Sequence, residues 1–157
     1  MRMLGWNLGL ALMWCALAGR LDTAQLLVGF AVGYVLIGWL IPSDDARAYL
    51  RRLPLVLAFF GYYAADVIVS SLRLAREVVT PFPRRRPGMV AVPLDVTTDA
   101  QIAMLANIIT FTPGTIAIDL SEDRRTMFVH DMFLEDPDAS RDHIKRRYER
   151  WTLRILA

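Results

Sequence analysis

The chain has 157 residues, more than half of them hydrophobic, and a formal net charge of only +2; that length suits one ordinary domain, or a membrane anchor followed by a small domain. Charges are sparse up to about Leu72 and dense from Arg73 onward, an asymmetry that suggests two solvents for two parts of the molecule. The basic residues of the second part are matched by nearby acids such as Asp119, Glu122, Asp123, Asp136 and Asp138, which speaks against a nucleic-acid surface.

The first apolar run goes from Met3 to Ala18 and is interrupted only by Asn7. Its end, Ala16-Leu17-Ala18, imitates a signal-peptidase site, but the segment is expected to stay attached. Cys15, the single cysteine, lies inside this run and reads as a small hydrophobic side chain. A second run, Ala24 to Ile41, follows the short polar turn Gly19-Arg20-Leu21-Asp22, and Pro42 ends it. The two form a helical hairpin. Sixteen helical residues span about 24 Å, short of the roughly 30 Å hydrocarbon core. Gly29 and Gly33 lie four apart on one face of the second helix, available either for packing inside the hairpin or for contact with another subunit.

A third helix is expected over residues 53–79, with Pro54 in its first turn. Leu53 to Leu72 covers about 30 Å, enough for one crossing. An odd number of crossings places the terminal domain opposite the N-terminus. More arginines fall on the side of Arg20, Arg73, Arg76 and Arg84-Arg85-Arg86 than on the side of Arg2, Arg47, Arg51 and Arg52, so the terminal domain is expected to be cytoplasmic. Asp66 is the residue of this helix that needs a partner, since a carboxylate at helix centre costs about 2.5–3.5 kcal/mol on insertion scales. It is either a station on an ion or proton path, or a structural group bonded to another helix, with Arg73 two turns away on nearly the same face.

A basic Pro/Gly hinge is expected over residues 81–88, and beyond it a small α+β domain over residues 89–157. Met89 to Leu94 alternates as a strand, and Thr98 and Gln101 stand at capping-box spacing before a helix that runs to about Thr112. Thr115 to Leu120 and Thr126 to Met132 read as a hairpin of strands. Asp138 to Ala157 is a charged amphipathic helix with Ile144, Tyr148, Trp151 and Ile155 on one stripe. The order is strand-helix-strand-strand-helix, which buries one sheet face against its helices.

Few residues in this part point to chemistry. Asn107, Thr110 and Thr112 could coordinate a cation, but no carboxylate accompanies them, and packing of a buried helix explains them better. Pro113-Gly114 before Thr115 suits the middle of a type II turn and lacks the Gly-Lys-Ser/Thr ending of a phosphate loop. His130 and His143 show no metal-ligand spacing, and Thr115, Ser121 and His130 form no evident triad. No cofactor, metal site or independent enzymatic site is expected.

The combination RRPGMVAVPLDV followed by MLANIITFTPGTIAIDLSEDRRTMFVHDM strongly resembles the E-type subunit of the multi-subunit Mrp-type cation/proton antiporters, also called Mnh or Pha systems. The most specific motif is Leu105-Ala106-Asn107 through Thr112-Pro113-Gly114-Thr115, followed by the strand containing Val129-His130. The resemblance implies a multi-pass subunit in a prokaryotic cell membrane, with other antiporter subunits and the lipid bilayer as partners and sodium and protons handled by the complex. It implies support of assembly and exchange and a share in shaping the sodium route, for which Asp66 is this chain's candidate; the alternative is an anchored assembly module without a role in conduction. The lysines of the large proton-translocating subunits have no counterpart, because Lys145 is the only lysine.

Overall fold

The computed structural model describes residues 2–81 and 87–156. Its elements in chain order are helices α1 (Arg2–Ala18), α2 (Thr23–Leu40) and α3 (Asp44–Val79), strand β1 (Gly88–Pro93), helix α4 (Asp99–Phe111), strands β2 (Thr115–Leu120) and β3 (Thr126–Asp131), and a terminal helical run of α5 (Pro137–His143), a π-helical segment (Ile144–Glu149) and α6 (Arg150–Ile155). Arg84, Arg85 and Arg86 of the expected hinge lie outside the described residues. Two helices, Thr23–Leu40 and Asp44–Val79, are long and apolar enough to cross a membrane by length and composition; α1, at 17 residues, is shorter. The chain divides into two compact units, Met1–Leu57 and Ala58–Ala157. The boundary therefore falls inside α3.

In the first unit α1 and α2 pack along their length. Asp22 caps α2 through a 2.8 Å bond from the Gln25 N–H. Gly33 marks the closest approach, since a Cβ there would collide with Asn7 Oδ1. Gly29, which meets Ala11 and Trp14, and Gly33 thus serve packing inside the hairpin. Asn7, the one interruption of the first apolar run, is fully buried and donates from Nδ2 to the Tyr49 hydroxyl at 2.7 Å.

α3 is a single helix of 36 residues that starts at Asp44, so the expectation that Pro54 opens a helix is corrected. Proline inside a helix removes the bond to the carbonyl four residues back. Here that carbonyl is Leu50 O, and the Tyr34 hydroxyl donates to it at 2.8 Å. A tertiary donor replaces the missing N–H, and the helix continues.

In the second unit the antiparallel sheet has the order β1-β3-β2. Val90 pairs with Val129 and Val92 with Met127, and all four are buried beside Leu105, Ile108 and Ile109 of α4 and Ile144 and Tyr148 of the terminal run. The alternation expected for β1 puts Val90 and Val92 inside and Met89, Ala91 and Pro93 outside. Thr98 and Gln101 form the expected capping box. The terminal run is helical as expected but not uniformly α.

Its π-helical segment presents Glu149 inward. This carboxylate is 1% exposed, accepts from the backbone N–H groups of Asp95 (2.5 Å) and Val96 (3.1 Å), and lies 3.1 Å from Lys145 Nζ. Lys145 also meets Asp95 at 3.0 Å and donates to Pro93 O at 2.7 Å. A single buried carboxylate and its cation therefore fasten the terminal helix to the β1–α4 connection. Burial opposes the charged amine, but the hydrogen bonds and charges of Asp95 and Glu149 hold it above its ordinary value of 10.5.

Gly33→Ala forces Asn7 aside and lowers the membrane abundance of the chain several-fold, as overpacking by about 1–3 kcal/mol does, whereas Gly5→Ala, which meets open space, leaves it unchanged; quantitative immunoblotting of membranes measures both. Glu149→Ala destabilises the second unit by about 3 kcal/mol, because it strands the Asp95 and Val96 N–H groups and takes one of two carboxylates from Lys145; urea unfolding of the full chain in detergent, read by Trp151 fluorescence after Trp6, Trp14 and Trp39 are changed to Phe, gives the value. Since the folded-state pKa of Lys145 is raised, its contribution is complete below the ordinary lysine value and is lost only as pH climbs through the raised one; the same unfolding assay repeated across alkaline pH tests this.

Candidate functional site

Asp66 sits on α3 with 10% of its side chain exposed. The Tyr148 hydroxyl donates to Oδ2 at 2.5 Å, and Arg147 Nη1 lies 3.5 Å from Oδ1. Both carboxylate oxygens are met, and the partners come from the terminal helix rather than from Arg73. Tyr148 is 3% exposed. Burial first, then the hydrogen bond to Asp66, raise its phenol well above the ordinary value, so at neutral pH it is a protonated donor. Arg147 also stands 5.5 Å over the Tyr62 ring, and His143 meets the Tyr148 ring edge-on at 5.4 Å.

The π-helical segment serves two directions. Bonds from i to i+5 widen the turn, and Arg147 and Tyr148 reach α3 while Lys145 and Glu149 reach the β1–α4 connection. Around Asp66, α3 is further held by Phe59, which is 4% exposed within the core of the second unit, and by the Tyr63 hydroxyl, which donates to Ile108 O at 3.1 Å.

Beside this contact a cleft of about 1170 Å³ opens, lined by Asp66, Arg73, Thr112, Thr115, Asp131 and His143 among others. Its charged lining sets three arginines against five carboxylates, so the cleft carries an acidic surplus. Among the described residues no group of three or more His, Cys, Asp or Glu could hold a metal ion. The arrangement can hydrate and attract cations without caging one.

The Thr-Pro-Gly-Thr motif edges the same cleft. Thr112 Oγ1 donates to Ile108 O at 2.8 Å, and Thr115 Oγ1 donates to Ile109 O at 2.7 Å; the two hydroxyls therefore satisfy carbonyls left open where α4 ends. Thr110 Oγ1 accepts from the Ala117 N–H at 3.3 Å, and Asn107 is exposed. The four side chains do not converge on one point. Gly114 has φ +98, and the Thr115 N–H donates to Thr112 O at 3.2 Å, as the expected type II turn requires. A Cβ on Gly114 would also meet Phe133 Cε2 at 2.9 Å.

Sequence reasoning missed Glu149, Arg147 and the polar role of Tyr148. For Tyr148 the signal existed, since a tyrosine on a buried stripe needs a partner for its hydroxyl. For Glu149 the only signal was an acid four residues after Lys145, a spacing that usually marks an exposed pair.

The family described as MNHE, Na+/H+ ion antiporter subunit, matches residues 7–155. The chain is 26% identical over 149 residues to the E subunit of the Na(+)/H(+) antiporter of Alkalihalophilus pseudofirmus, covering 95% of this chain and 94% of that one. The corresponding E subunit of Bacillus subtilis is 26% identical over 144 residues, with 92% and 91% covered. Among solved structures, a chain of the Mrp complex from Dietzia superposes with a TM-score of 0.52 at 26% identity, over 66% of this chain and 98% of that one. A chain of the membrane-bound sulfane sulfur reductase, an archaeal respiratory membrane complex, reaches 0.61 at 27% identity, with 98% of each chain covered. With nearly its whole length matched, the chain belongs to the MNHE family of Na+/H+ antiporter subunits and is a subunit of a membrane-bound cation/proton antiporter.

Proposed function

We propose that this chain is a non-catalytic accessory subunit of a multi-subunit sodium/proton antiporter in a prokaryotic cell membrane. The α1–α2 hairpin docks in the membrane against neighbouring subunits, and the α+β domain braces the cytoplasmic face of the assembly. The observation that carries this reading is the fully occupied Asp66 carboxylate: a group held by Tyr148 and Arg147 serves as a latch between α3 and the terminal helix. The absence of any lysine besides Lys145 in the sequence, itself engaged with Glu149 and Asp95, is consistent with proton transfer being carried by other subunits.

A second reading has one observation in its favour. The cleft with an acidic surplus reaches Asp66, which suits a hydrated route for sodium. Tyr148→Phe and Asp66→Asn separate the two. For a latch, both variants lose about 2 kcal/mol of docking free energy, the amount of assembled complex falls to a similar extent in both, and sodium-driven proton exchange per assembled complex stays at the parental level. Inverted membrane vesicles with a pH-sensitive dye measure the exchange, and native gels measure assembly. Exchange abolished by Asp66→Asn in a fully assembled complex, with Tyr148→Phe unaffected, would assign Asp66 to the ion route.

A further inference from the structure

We propose that His143 is a proton-operated release for the contact between α3 and the terminal helix: once protonated, it competes with Arg147 for Asp66 and frees α3 beyond Asp66, so that the cleft opens. The inference rests on the reading of Asp66 as a latch, and it names what regulates that latch, the pH of the solvent in the cleft.

The first support is that α3 has one fastening for a release to act on. Phe59 and Tyr63 belong to the hydrophobic core of the second unit or pack against it, but no residue of α3 after Tyr63 does. Among the described residues, Asp66 is also the last side chain of α3 that a hydrogen bond or ion pair joins to another element. Residues 67–79 therefore form a wall of the cleft that is bonded to the opposite wall through Asp66 alone. A stretch with few buried contacts is the part of a fold that opens at least cost.

The second support is the position of His143. It lines the same cleft as Asp66, sets its ring edge-on to Tyr148 at 5.4 Å, and is exposed enough to exchange protons with solvent. The charges that act on it come from three elements: Asp66 and Arg73 of α3, Asp131 of β3, and Arg147 of its own helical run. Arg76 and Glu77 of α3 and Glu135 and Asp136 ahead of α5 line the rest of the cleft. Both carboxylates that act on His143 are already engaged. Asp66 accepts from Tyr148 and Arg147, and Asp131 accepts from the Phe133 N–H at 2.9 Å and the Ser140 hydroxyl at 2.8 Å. An imidazolium formed here is a third cation beside Arg73 and Arg147, and it gains a carboxylate only in competition with those donors. The longest of these contacts, and so the first to yield, is the 3.5 Å one from Arg147 to Asp66.

The third support is the direction of the effect. Desolvation first, then the charge of Arg147 with that of Arg73, outweigh the pull of Asp66 and Asp131 and hold His143 below its ordinary value of 6.5. The latched arrangement thus binds this proton less readily than the released one. Above the ordinary value the latch is held in full; it weakens as pH falls through that value and is loosest below the lowered one. Histidine is the side chain whose ordinary titration falls in this range. The chain's other histidine, His130, pairs with Met89 and Ile116 in the sheet, next to the buried Val129 and so on the opposite sheet face.

The test uses the full chain in its purified complex, with Cys15 changed to Ala, the other subunits free of cysteine, and spin labels on Leu72→Cys and Ile118→Cys, two exposed positions outside the cleft. Pulsed electron spin resonance reads the distance between them from about pH 8 down to about pH 5, the range in which histidine titrates. A single narrow distance is expected at the upper end, joined by a longer one whose population grows several-fold as the pH falls and shrinks again on return. His143→Gln keeps the narrow distance throughout, His143→Lys shows the longer one at both ends, and His130→Gln responds as the parent does. A distance that ignores pH, or a response that persists in His143→Gln or vanishes in His130→Gln, overturns the proposal. Tyr148→Phe at the upper end, where His143 is neutral, tests the latch separately. No change of distance there removes the latch itself, whereas a distance that answers to Tyr148→Phe and not to pH removes only the release.

Discussion

A carboxylate on an otherwise apolar helix has to be met by donors, and in this chain they are supplied from far along the sequence. Tyr148 and Arg147 close on Asp66, and with Phe59 and Tyr63 they make the second half of α3 a part of the α+β unit. Without that contact the Asp66 carboxylate would be unsatisfied wherever water is excluded from it. The boundary between compact units falls within a continuous helix for this reason.

The contact shares its short π-helical segment with a second one. Lys145 and Glu149, four residues apart, hold the β1–α4 connection, while Arg147 and Tyr148 hold α3. Glu149 is buried as an ion pair rather than an apolar residue, which contributes little net stability over a hydrophobic replacement but makes loss of either partner costly. Such a group specifies one docking geometry of the terminal helix on the β1–α4 connection, and so fixes the helix that carries Tyr148 and Arg147.

Much of the architecture is legible in the sequence because it is local. Two apolar runs bounded by a polar turn, a capping box before α4, a Pro-Gly turn after it and two short β-prone runs are properties of neighbouring residues, and each of these elements forms within a residue or two of its expected place. That Asp66 needs a partner is legible for the same reason, since the cost of an unpaired charge does not depend on the fold. The sequence asks for a partner on another helix but can name only Arg73 nearby, because spacing along one helix is all that a sequence displays.

The sequence by itself determined that this chain has an apolar anchor and a charged α+β domain, and its Thr-Pro-Gly-Thr stretch carried the family resemblance that the wider match bears out. Only the tertiary structure decided that helix α3 runs through Pro54, because the donor that rescues Leu50 O is Tyr34 on another helix. Only it assigned Asp66 to Tyr148 and Arg147, and Glu149 to Asp95 and Val96. Local propensity sets which segments are helical or extended, whereas the partner of a buried polar group is set by which surfaces the whole chain can bring together.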